Sequence, residues 1–255
     1  MTDERSDKPA SDVAFSESVK AVQMARGSRG QFAARDADGG WKTEISDDLA
    51  GFIGEVTTCY LATASADGQP YVQHRGGPAG FLRVIDRQTI GFVDYKGNRQ
   101  YITTGNLKDN EKVHLFLMDY ENRRRVKIWG TARIVEGDGE LAARLFPHGY
   151  RAKWEQVILI TVVAWDINCS QHIPQMFHAS DVAATVQTFQ ARVKELDDEI
   201  TRFEERLAAE APRCVFDRAH IIEDALRDAL EQARAELAGM STEETATDAT
   251  ARSTP

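Results

Sequence analysis

Two strand-like runs, each flanked by polar residues, decide the fold of this chain. They lie within Pro70-Tyr-Val-Gln-His-Arg-Gly-Gly-Pro-Ala-Gly-Phe-Leu-Arg-Val-Ile-Asp86, then Thr89-Ile-Gly-Phe-Val-Asp-Tyr-Lys-Gly-Asn-Arg-Gln100 and Tyr101-Ile-Thr-Thr-Gly-Asn-Leu107. The runs Phe81–Ile85 and Thr89–Asp94 have the composition of β-strands. Arg, Asn, Gln and Gly are concentrated around them, which an ordinary solvent-facing hairpin does not require. The stretch therefore predicts two strands that carry a ligand site.

Further strands are predicted on both sides of this stretch. Upstream, Cys59–Ser65 and Tyr71–Arg75 form a hairpin, because an Asp-Gly pair between two β-prone runs is a strong turn signal. Downstream, Lys112–Asp119, Arg125–Val135 and Val157–Trp165 are strand-like, and the last is the most continuous apolar run. Six to eight short antiparallel strands suggest a barrel. The chain has neither βαβ alternation nor a Gly-x-Gly-x-x-Gly turn, which argues against a doubly wound dinucleotide fold.

Short helices are expected between the strands. Ser46 is a typical capping residue, and it is followed by two acidic residues that favour the positive end of the helix dipole. Leu49, Phe52 and Ile53 would then form the buried side of this helix. Other short helices are predicted at Phe15–Met24, Asn98–Thr104 and Asp138–Phe146.

A heptad pattern begins at about residue 180. The apolar positions are Val182, Val186, Phe189, Val193, Leu196, Ile200, Phe203 and Leu207, alternately four and three residues apart. Ala211-Pro-Arg213 interrupts the pattern, and a second helix is indicated from Ile222 to Leu237. The two helices could form a helical hairpin, pair with a second subunit as a coiled coil, or pack on the barrel. The pattern does not distinguish these arrangements.

Composition and charge define the class of protein. The 255 residues carry a net charge of −9. From Asp181 onwards there are 17 acidic and 9 basic residues, a balance of −8. Such an acidic chain argues against nucleic-acid binding. No apolar run is long enough to span a membrane and no signal peptide is evident at the N-terminus, so a cytoplasmic location is expected.

The cysteines and the domain boundaries complete this outline. Cys59, Cys169 and Cys214 are widely spaced and are expected to be reduced, mostly structural thiols, without a thiolate metal site. No other metal site is predicted. We expect disordered tails at 1–14 and 239–255, a barrel domain at 15–180 and a helical extension at 181–238.

The loop after the second of the two opening strands has the chemistry of an anion site. Lys96, Asn98 and Arg99 lie where a strand ends and a helix should begin, so that side chains and free backbone N–H groups can surround a phosphate. Arg83 and Lys127 could add positive charge if their side chains reach the same place. The alternative interpretation is a positively charged surface loop with ion pairs.

The segment Gln73-His-Arg-Gly-Gly-Pro78 is the second candidate for ligand binding. Gln73, His74 and Arg75 offer hydrogen bonds, and the glycines from Gly76 would let the backbone approach a flat ligand closely. A flavin ring would suit such a site, because donors and cations stabilise the negative charge of its reduced form. The alternative role for His74 is that of a satisfied structural histidine.

Residues 46–178 resemble the pyridoxamine 5′-phosphate oxidase-like flavoproteins, whose fold is the FMN-binding split β-barrel. The resemblance is closest to the oxidase-related group that carries Gln-His-Arg-Gly-Gly-Pro. The family's Thr-Asn and Ser-Arg-Lys phosphate motif matches Asp94, Tyr95, Asn98, Arg99 and Gln100, so Arg99 is retained whereas Gln100 lacks the lysine charge. Lys96 or Lys127 would then carry part of the phosphate contact.

Two further segments take part in the resemblance. The family's Arg-Gln-Val-Arg-Val-Glu-Gly strand is similar to Arg124-Arg-Val-Lys-Ile-Trp-Gly130, which implies that Arg125 and Lys127 lie near the flavin or its phosphate. Gln171 and His172 belong to a segment similar to one that returns to the cofactor in this group. A purely structural loop is the alternative for these two residues.

The resemblance implies a mainly β protein with helices, namely an FMN-binding split β-barrel, followed here by a C-terminal α-helical hairpin or coiled-coil extension. It also implies a homodimer with FMN sites at the subunit interface. The expected function is that of an FMN-dependent oxidoreductase acting on a small molecule by hydride transfer, with no catalytic residue assigned. The Trp-Arg-x-x-Arg-Leu pattern of the true vitamin B6 oxidase is missing. The alternatives are an F420-using reductase and a non-catalytic flavin-binding or sensing module.

Overall fold

The computed structural model describes residues 8–168, 170–210 and 221–235. They belong to two compact units, which are divided between Phe177 and His178. The first unit holds the predicted strands, and the second holds the heptad helix.

The first unit begins with helices and continues as a sheet. A 3-10 turn at Ala10–Val13 precedes the helices α1 (Glu17–Ala25), α2 (Arg29–Ala37) and α3 (Asp47–Glu55). The strands are β1 (Thr58–Ala64), β2 (Pro70–Gly76), β3 (Leu82–Asp86), β4 (Thr89–Tyr95), β5 (Lys112–Asp119), β6 (Arg124–Val135) and β7 (Trp154–Asn168). Helix α4 (Ile102–Asp109) precedes β5, and helix α5 (Gly139–Leu145) precedes β7.

All seven strands form one antiparallel sheet in the order β2-β1-β5-β6-β7-β4-β3. Alternate residues of each strand face one core, as the period of two requires. Leu61, Leu115 and Ile128 are fully buried there. They share one apolar cluster with Leu82 and Phe92 from the other end of the sheet, so the inner face is common to both ends.

Helix α3 forms for the predicted reasons. The Ser46 side chain accepts a hydrogen bond from the backbone N–H of Leu49 at 3.2 Å, which caps the helix. Leu49, Phe52 and Ile53 are buried in the core cluster. The predicted cap and the predicted buried face are both confirmed.

Helix α4 begins four residues later than the sequence predicts. Arg99 and Tyr101 have positive φ angles of 63° and 54°. Residues in this left-handed region cannot be part of a right-handed helix, so the first helical residue is Ile102. Asn98, Arg99 and Gln100 consequently lie in the loop before the helix.

At Gly130 the backbone of β6 lies close to the backbone of β7. A Cβ atom at this position would lie 2.3 Å from the carbonyl oxygen of Thr161. The pairing register between β6 and β7 shifts between Trp129 and Gly130. The sheet can bend here only because the residue has no side chain.

The N-terminal segment is more ordered than its composition predicts. Within the expected tail, residues 10–13 form the 3-10 turn, and Ser11 is buried. Phe15 packs against both Phe32 of α2 and Trp41, with ring centroids 5.3 and 5.2 Å away. Trp41 stacks on Trp129 of β6 at 4.5 Å. These aromatic contacts attach the segment to the outer face of the sheet, and α2 was not predicted.

A buried ion pair joins the two ends of the sheet. Arg75 of β2 donates through Nη1 to Asp94 of β4, and only 13% and 10% of their side chains are exposed. The other carboxylate oxygen of Asp94 accepts a hydrogen bond of 2.9 Å from Gln156 of β7. Because β2 is an edge strand and β4 lies next to the opposite edge, this pair holds the sheet in a curled form.

The second unit contains the heptad helix α6 (Ala179–Glu210) and a helix over 221–235. The predicted helix over the heptad positions is confirmed. The predicted break at 211–213, the tail at 239–255, Cys169 and Cys214 lie outside the described residues. Cys59 is buried, and burial raises the pKa of its thiol to about 12, so this thiol stays protonated.

Among the helices of the described residues, none is long and apolar enough to cross a membrane.

Loss of the Asp94 charge should destabilise the barrel strongly. Asp94→Asn leaves the buried Arg75 guanidinium without a counter-ion, which costs about 3–5 kcal/mol of unfolding free energy. Chemical denaturation followed by fluorescence measures this loss. Glu17→Ala is the matched control, because it removes an ion pair with Lys20 whose carboxylate is 92% exposed. An Asp94→Asn variant as stable as Glu17→Ala would contradict the structural role of the pair.

Candidate functional site

A polar cleft lies between β2, α4 and the start of β7. Its volume is about 200 Å³. It is lined by Tyr71, Gln73, Arg75, Asp94, Tyr95, Gly97, Asn98, Arg99, Gln100, Tyr101, Ile102, Thr103, Thr104 and Glu155. The cleft therefore brings together six of the fourteen predicted site residues, namely Gln73, Arg75, Tyr95, Asn98, Arg99 and Gln100.

Register explains why Gln73 and Arg75 share the cleft. On β1, Cys59 and Leu61 point into the core, and they pair with Arg75 and Gln73. Directly paired residues lie on the same face of a sheet, so both side chains reach the inner side. There Gln73 accepts a hydrogen bond of 2.8 Å from the Thr103 hydroxyl, which fixes the start of α4 beside β2.

Arg99 is the exposed cation of the cleft. Its Nε donates to the hydroxyl oxygen of Tyr101 at 3.1 Å, and that hydroxyl donates to Glu155 at 2.5 Å. Tyr101 thus connects the arginine to a carboxylate on β7. The guanidinium is held at the mouth of the cleft while its terminal amino groups stay available to an anion.

The N-terminus of α4 supplies further donors. No side chain caps this helix. The first N–H groups of a helix have no acceptor within it, and the helix dipole makes this end positive. Asn98 accepts a hydrogen bond from the backbone N–H of Gln100 at 3.2 Å, which shapes the loop before the helix. Arg99 and the start of α4 together form an environment suited to a phosphate.

The charges of the cleft nearly cancel. Arg75 is neutralised by Asp94, and Arg99 is opposed by Glu155. Lys96, which was expected to contribute charge, is exposed and does not line the cleft, although its backbone N–H donates to the Lys153 carbonyl at 2.8 Å. Binding of an anion would therefore depend on Arg99 and on the backbone donors.

His74 faces the other side of β2. It pairs with Tyr60, whose ring lies 5.8 Å away in an edge-on arrangement. With Gly76 it lines a separate cavity of about 160 Å³ that also touches Arg75 and Tyr95. Gln73, His74 and Arg75 therefore do not present their side chains to one flat ligand from the same face, because neighbouring strand residues alternate.

The glycines after Arg75 are required by the protein's own packing. A Cβ atom at Gly77 would lie 2.6 Å from Cβ of Phe81, and one at Gly76 would lie 3.1 Å from the carbonyl oxygen of Thr57. The close approach expected for a ligand is occupied here by neighbouring residues.

Arg83 lies outside the cleft, whereas Tyr95 lines the cleft and also belongs to an aromatic cluster. Arg83 donates through Nε to the Gly80 carbonyl at 3.2 Å and lines a different cavity with Arg144, His148 and Trp154. Tyr95 packs edge-on against Phe146, and burial raises the pKa of its hydroxyl. Arg83 thus does not add charge to the cleft within one chain.

Arg125 and Lys127 alternate along β6 with the buried residues Val126 and Ile128, and therefore lie on its outer face. Lys127 Nζ is 5.6 Å from the ring centre of Trp41 and 5.2 Å from that of Trp129. Burial lowers the pKa of Lys127, and the nearby Asp166 partly offsets this effect. Neither residue lines the cleft, and their assignment to the cofactor stays a prediction.

Gln171 and His172 lie beyond the end of β7. Both are exposed, and His172 has a positive φ of 61°. Their segment continues to the β5–β6 turn, where the Gln175 amide donates to the Glu121 carbonyl at 2.9 Å. They do not line the cleft of their own chain, and their predicted role at the cofactor stays a prediction.

Several residues of the cleft escaped the sequence analysis. Thr103 and Thr104 of α4 and Glu155 of β7 line it. The buried Gln156 of β7 donates hydrogen bonds of 2.9 Å to Thr104 and to Asp94. Nothing in the local sequence singles out Thr103 and Thr104. The only signal for Glu155 and Gln156 is that these two polar residues precede the predicted apolar strand Val157–Trp165. Their meeting with α4 depends on long-range register, which the local sequence does not reveal.

The comparisons with known proteins agree with this fold. Residues 45–169 match the family model described as pyridoxamine 5′-phosphate oxidase. This part of the chain forms the split β-barrel, and the helices of the second unit follow it in the sequence, so the predicted fold class is confirmed. Residues 45–169 belong to the pyridoxamine 5′-phosphate oxidase-like family, as the quoted motifs indicated. The search of curated proteins found no match.

Solved structures with detectable similarity are distant. HupZ from Group A Streptococcus is 23% identical with a TM-score of 0.41, over 52% of this chain and 99% of that chain. A protein from Clostridium acetobutylicum related to general stress protein 26 is 14% identical with a TM-score of 0.37, over 53% and 94% of the two chains. An FMN-binding protein from Syntrophomonas wolfei is 13% identical with a TM-score of 0.39, over 60% and 96%.

Protonation of His114 should be unfavourable in the folded protein. Its ring lies 4.7 Å from Trp129, and burial, followed by the charge of Lys127, lowers the pKa of the imidazole below 6.5. Above pH 6.5 neither the folded nor the unfolded chain holds this proton, so the full stability is present. As the pH falls below 6.5, the unfolded chain takes up the proton first and stability is lost.

His114→Phe, which keeps an aromatic ring, should therefore flatten this part of the pH dependence. The measurement is the unfolding free energy of both proteins between pH 7.5 and about pH 5, where one such group contributes at most about 1.4 kcal/mol per pH unit. Parallel curves for the two proteins would show that His114 titrates as in an unfolded chain.

Proposed function

We propose that this protein binds FMN, with the phosphate held by Arg99 and the first turn of α4, and that it is an FMN-dependent oxidoreductase acting on a small molecule. The observation that carries the proposal is the uncapped α4 N-terminus beside an exposed arginine. Backbone N–H groups and a guanidinium are the groups that bind a phosphate dianion well. Membership of the family favours the same cofactor.

The size of the cleft agrees with binding of part of the cofactor. Its volume of about 200 Å³ is below the roughly 300–1,000 Å³ of pockets that enclose a drug-sized ligand. It could hold the phosphate and the adjoining sugar chain, whereas the ring system would extend beyond it. A homodimer in which a second copy covers the ring would complete the site, and in that copy Gln171, His172, Arg125 or Lys127 could contribute.

FMN, when bound, supplies the capacity to accept a hydride from a donor. The chain's own residues would bind and orient. Arg99 would hold the phosphate, and the Gln73–Thr103 hydrogen bond would keep α4 and β2 in the position that shapes the cleft. The vitamin B6 oxidase reaction is not proposed, because its C-terminal arginine pattern is missing from the sequence.

The proposal is tested by adding FMN to the purified protein and following quenching of flavin fluorescence. Saturable binding followed by bleaching with NADH or NADPH supports an oxidoreductase. Binding of FMN that stays inert to these and other donors supports a flavin-binding or sensing module instead. Preference for F420 over FMN in the same titration supports the deazaflavin reductase. A protein that binds neither flavin would refute the proposal.

Arg99→Ala should weaken FMN binding. Loss of one charge-assisted hydrogen bond costs about 1.5–3 kcal/mol, which corresponds to about a 10- to 150-fold higher Kd. The same fluorescence titration measures the effect. Arg83→Ala is the matched control, since Arg83 lines a different cavity and its replacement should leave the affinity unchanged. If Arg83→Ala weakened FMN binding and Arg99→Ala did not, this would contradict binding of the phosphate at Arg99.

Glu155→Gln should strengthen FMN binding. The substitution removes the carboxylate that accepts the Tyr101 hydrogen bond, and with it a negative charge in the cleft that would repel a phosphate. The expected gain is about 1 kcal/mol, or roughly five-fold in Kd at low salt, and it should shrink at high salt. Glu140→Gln, on an exposed turn of α5, serves as the control. Unchanged or weaker binding by Glu155→Gln would contradict phosphate binding in this cleft.

A further inference from the structure

Helix α6 carries an apolar stripe that is exposed to solvent. Seven of its heptad positions, from Val182 to Phe203, are between 41% and 64% exposed, with Leu196 the least and Phe189 the most. A continuous row of large apolar side chains on a soluble surface marks an interaction site. The strict alternation of four and three residues also matches a helical partner, because packing on a coiled-coil partner requires a repeat of 3.5 residues.

The neighbouring helix leaves most of this stripe uncovered. The helix over 221–235 contributes Ile221, Ile222 and Leu226 to an apolar groove of about 620 Å³. The other wall of the groove is formed by Ile200, Phe203 and Leu207 of α6. Ile200 and Phe203 are still 55% and 59% exposed, so the groove is open along the stripe.

We infer that the stripe is covered by α6 of a second copy of this chain, running antiparallel. In this arrangement the groove of each copy receives Val182, Val186 and Phe189 of the other. The contact is isologous, since the same surface is used twice, and it closes without further addition of chains. This contact between the two α6 helices is separate from the proposed FMN site, which belongs to the barrel.

The antiparallel register uses every apolar position of the stripe. Val186 packs against the partner's Phe203, Val193 against the partner's Leu196, Ile200 against the partner's Phe189, and Leu207 against the partner's Val182. Each phenylalanine thus meets a smaller β-branched residue. Alternation of large and small side chains fills a helical interface without voids. A parallel pair would instead oppose each phenylalanine to its own copy.

Charge at the edges of the stripe distinguishes the two directions. In the antiparallel register Arg192 lies near the partner's Glu199, and by symmetry Glu199 lies near the partner's Arg192, so two attractive pairs form. Arg192 and Glu195 pair at 2.9 Å within one helix and are 60% and 64% exposed, so the arginine is free to reorient. In a parallel pair Arg192 attracts the partner's Asp197, but Glu199 opposes the partner's Glu204, which cancels the gain.

Disulfide trapping in the full-length chain tests the direction. In a Cys169→Ser/Cys214→Ser background, Val186→Cys and Phe203→Cys are made on separate, differently tagged copies that are co-expressed and then oxidised. We expect a crosslinked heterodimer from the mixture and none from either variant alone, because equal positions are about 25 Å apart along antiparallel helices that rise 1.5 Å per residue. In the control, Glu205→Cys takes the place of Phe203→Cys. Glu205 lies on the outer side of α6, so this mixture should not crosslink.

Three outcomes decide the inference. Crosslinking of the Val186→Cys/Phe203→Cys mixture alone supports it. Crosslinking of each variant with itself indicates a parallel pair. No crosslinking in any sample indicates that two copies do not meet at the stripe. Either result overturns the inference. As an independent measure, Glu199→Arg should at least halve the crosslinked fraction, and Arg192→Glu combined with Glu199→Arg should restore it. An increase with Glu199→Arg would overturn the antiparallel register.

Discussion

The Arg75–Asp94 ion pair is the interaction on which the rest of the barrel depends. A seven-stranded antiparallel sheet has two open edges, and this pair connects one edge strand to the strand beside the other. Gln156 completes the hydrogen bonding of the carboxylate and also reaches Thr104 of α4. Buried charges are tolerated only when they are paired and hydrogen-bonded in this way. The same contacts that close the sheet therefore place α4.

The position of α4 in turn creates the candidate site. Its N-terminus meets β2 through Gln73 and Thr103, and the loop before it holds Arg99 beside Tyr101. The cleft is thus built by long-range contacts among three elements, not by one contiguous motif. A phosphate there would meet one exposed arginine and the positive end of a helix, opposed by Glu155. Affinity in such a cleft depends on a small difference between attractive and repulsive groups.

Local patterns predicted much of the fold, but the composition of the site less well. The Asp-Gly turn, the Ser46 cap and the heptad row each rest on interactions within a few residues, and the structure confirms them. The start of α4 was missed because two residues adopt positive φ, for which side-chain types give little warning. Likewise, the side of β2 on which His74 lies and the arrival of Glu155 from β7 follow from strand register, which depends on the whole sheet.

The aromatic contact between Trp41 and Trp129 divides the outer surface of the barrel into two regions. Where the N-terminal helices lie on β6 and β7, the sheet is already occupied by its own chain. Over β1 and β2 the outer side chains stay accessible, and Val72 is 59% exposed. A molecule that approaches the outer side of the sheet therefore meets the N-terminal segment over β6 and β7, and the strand side chains themselves over β1 and β2. The N-terminal segment restricts the directions of approach without being part of the cleft.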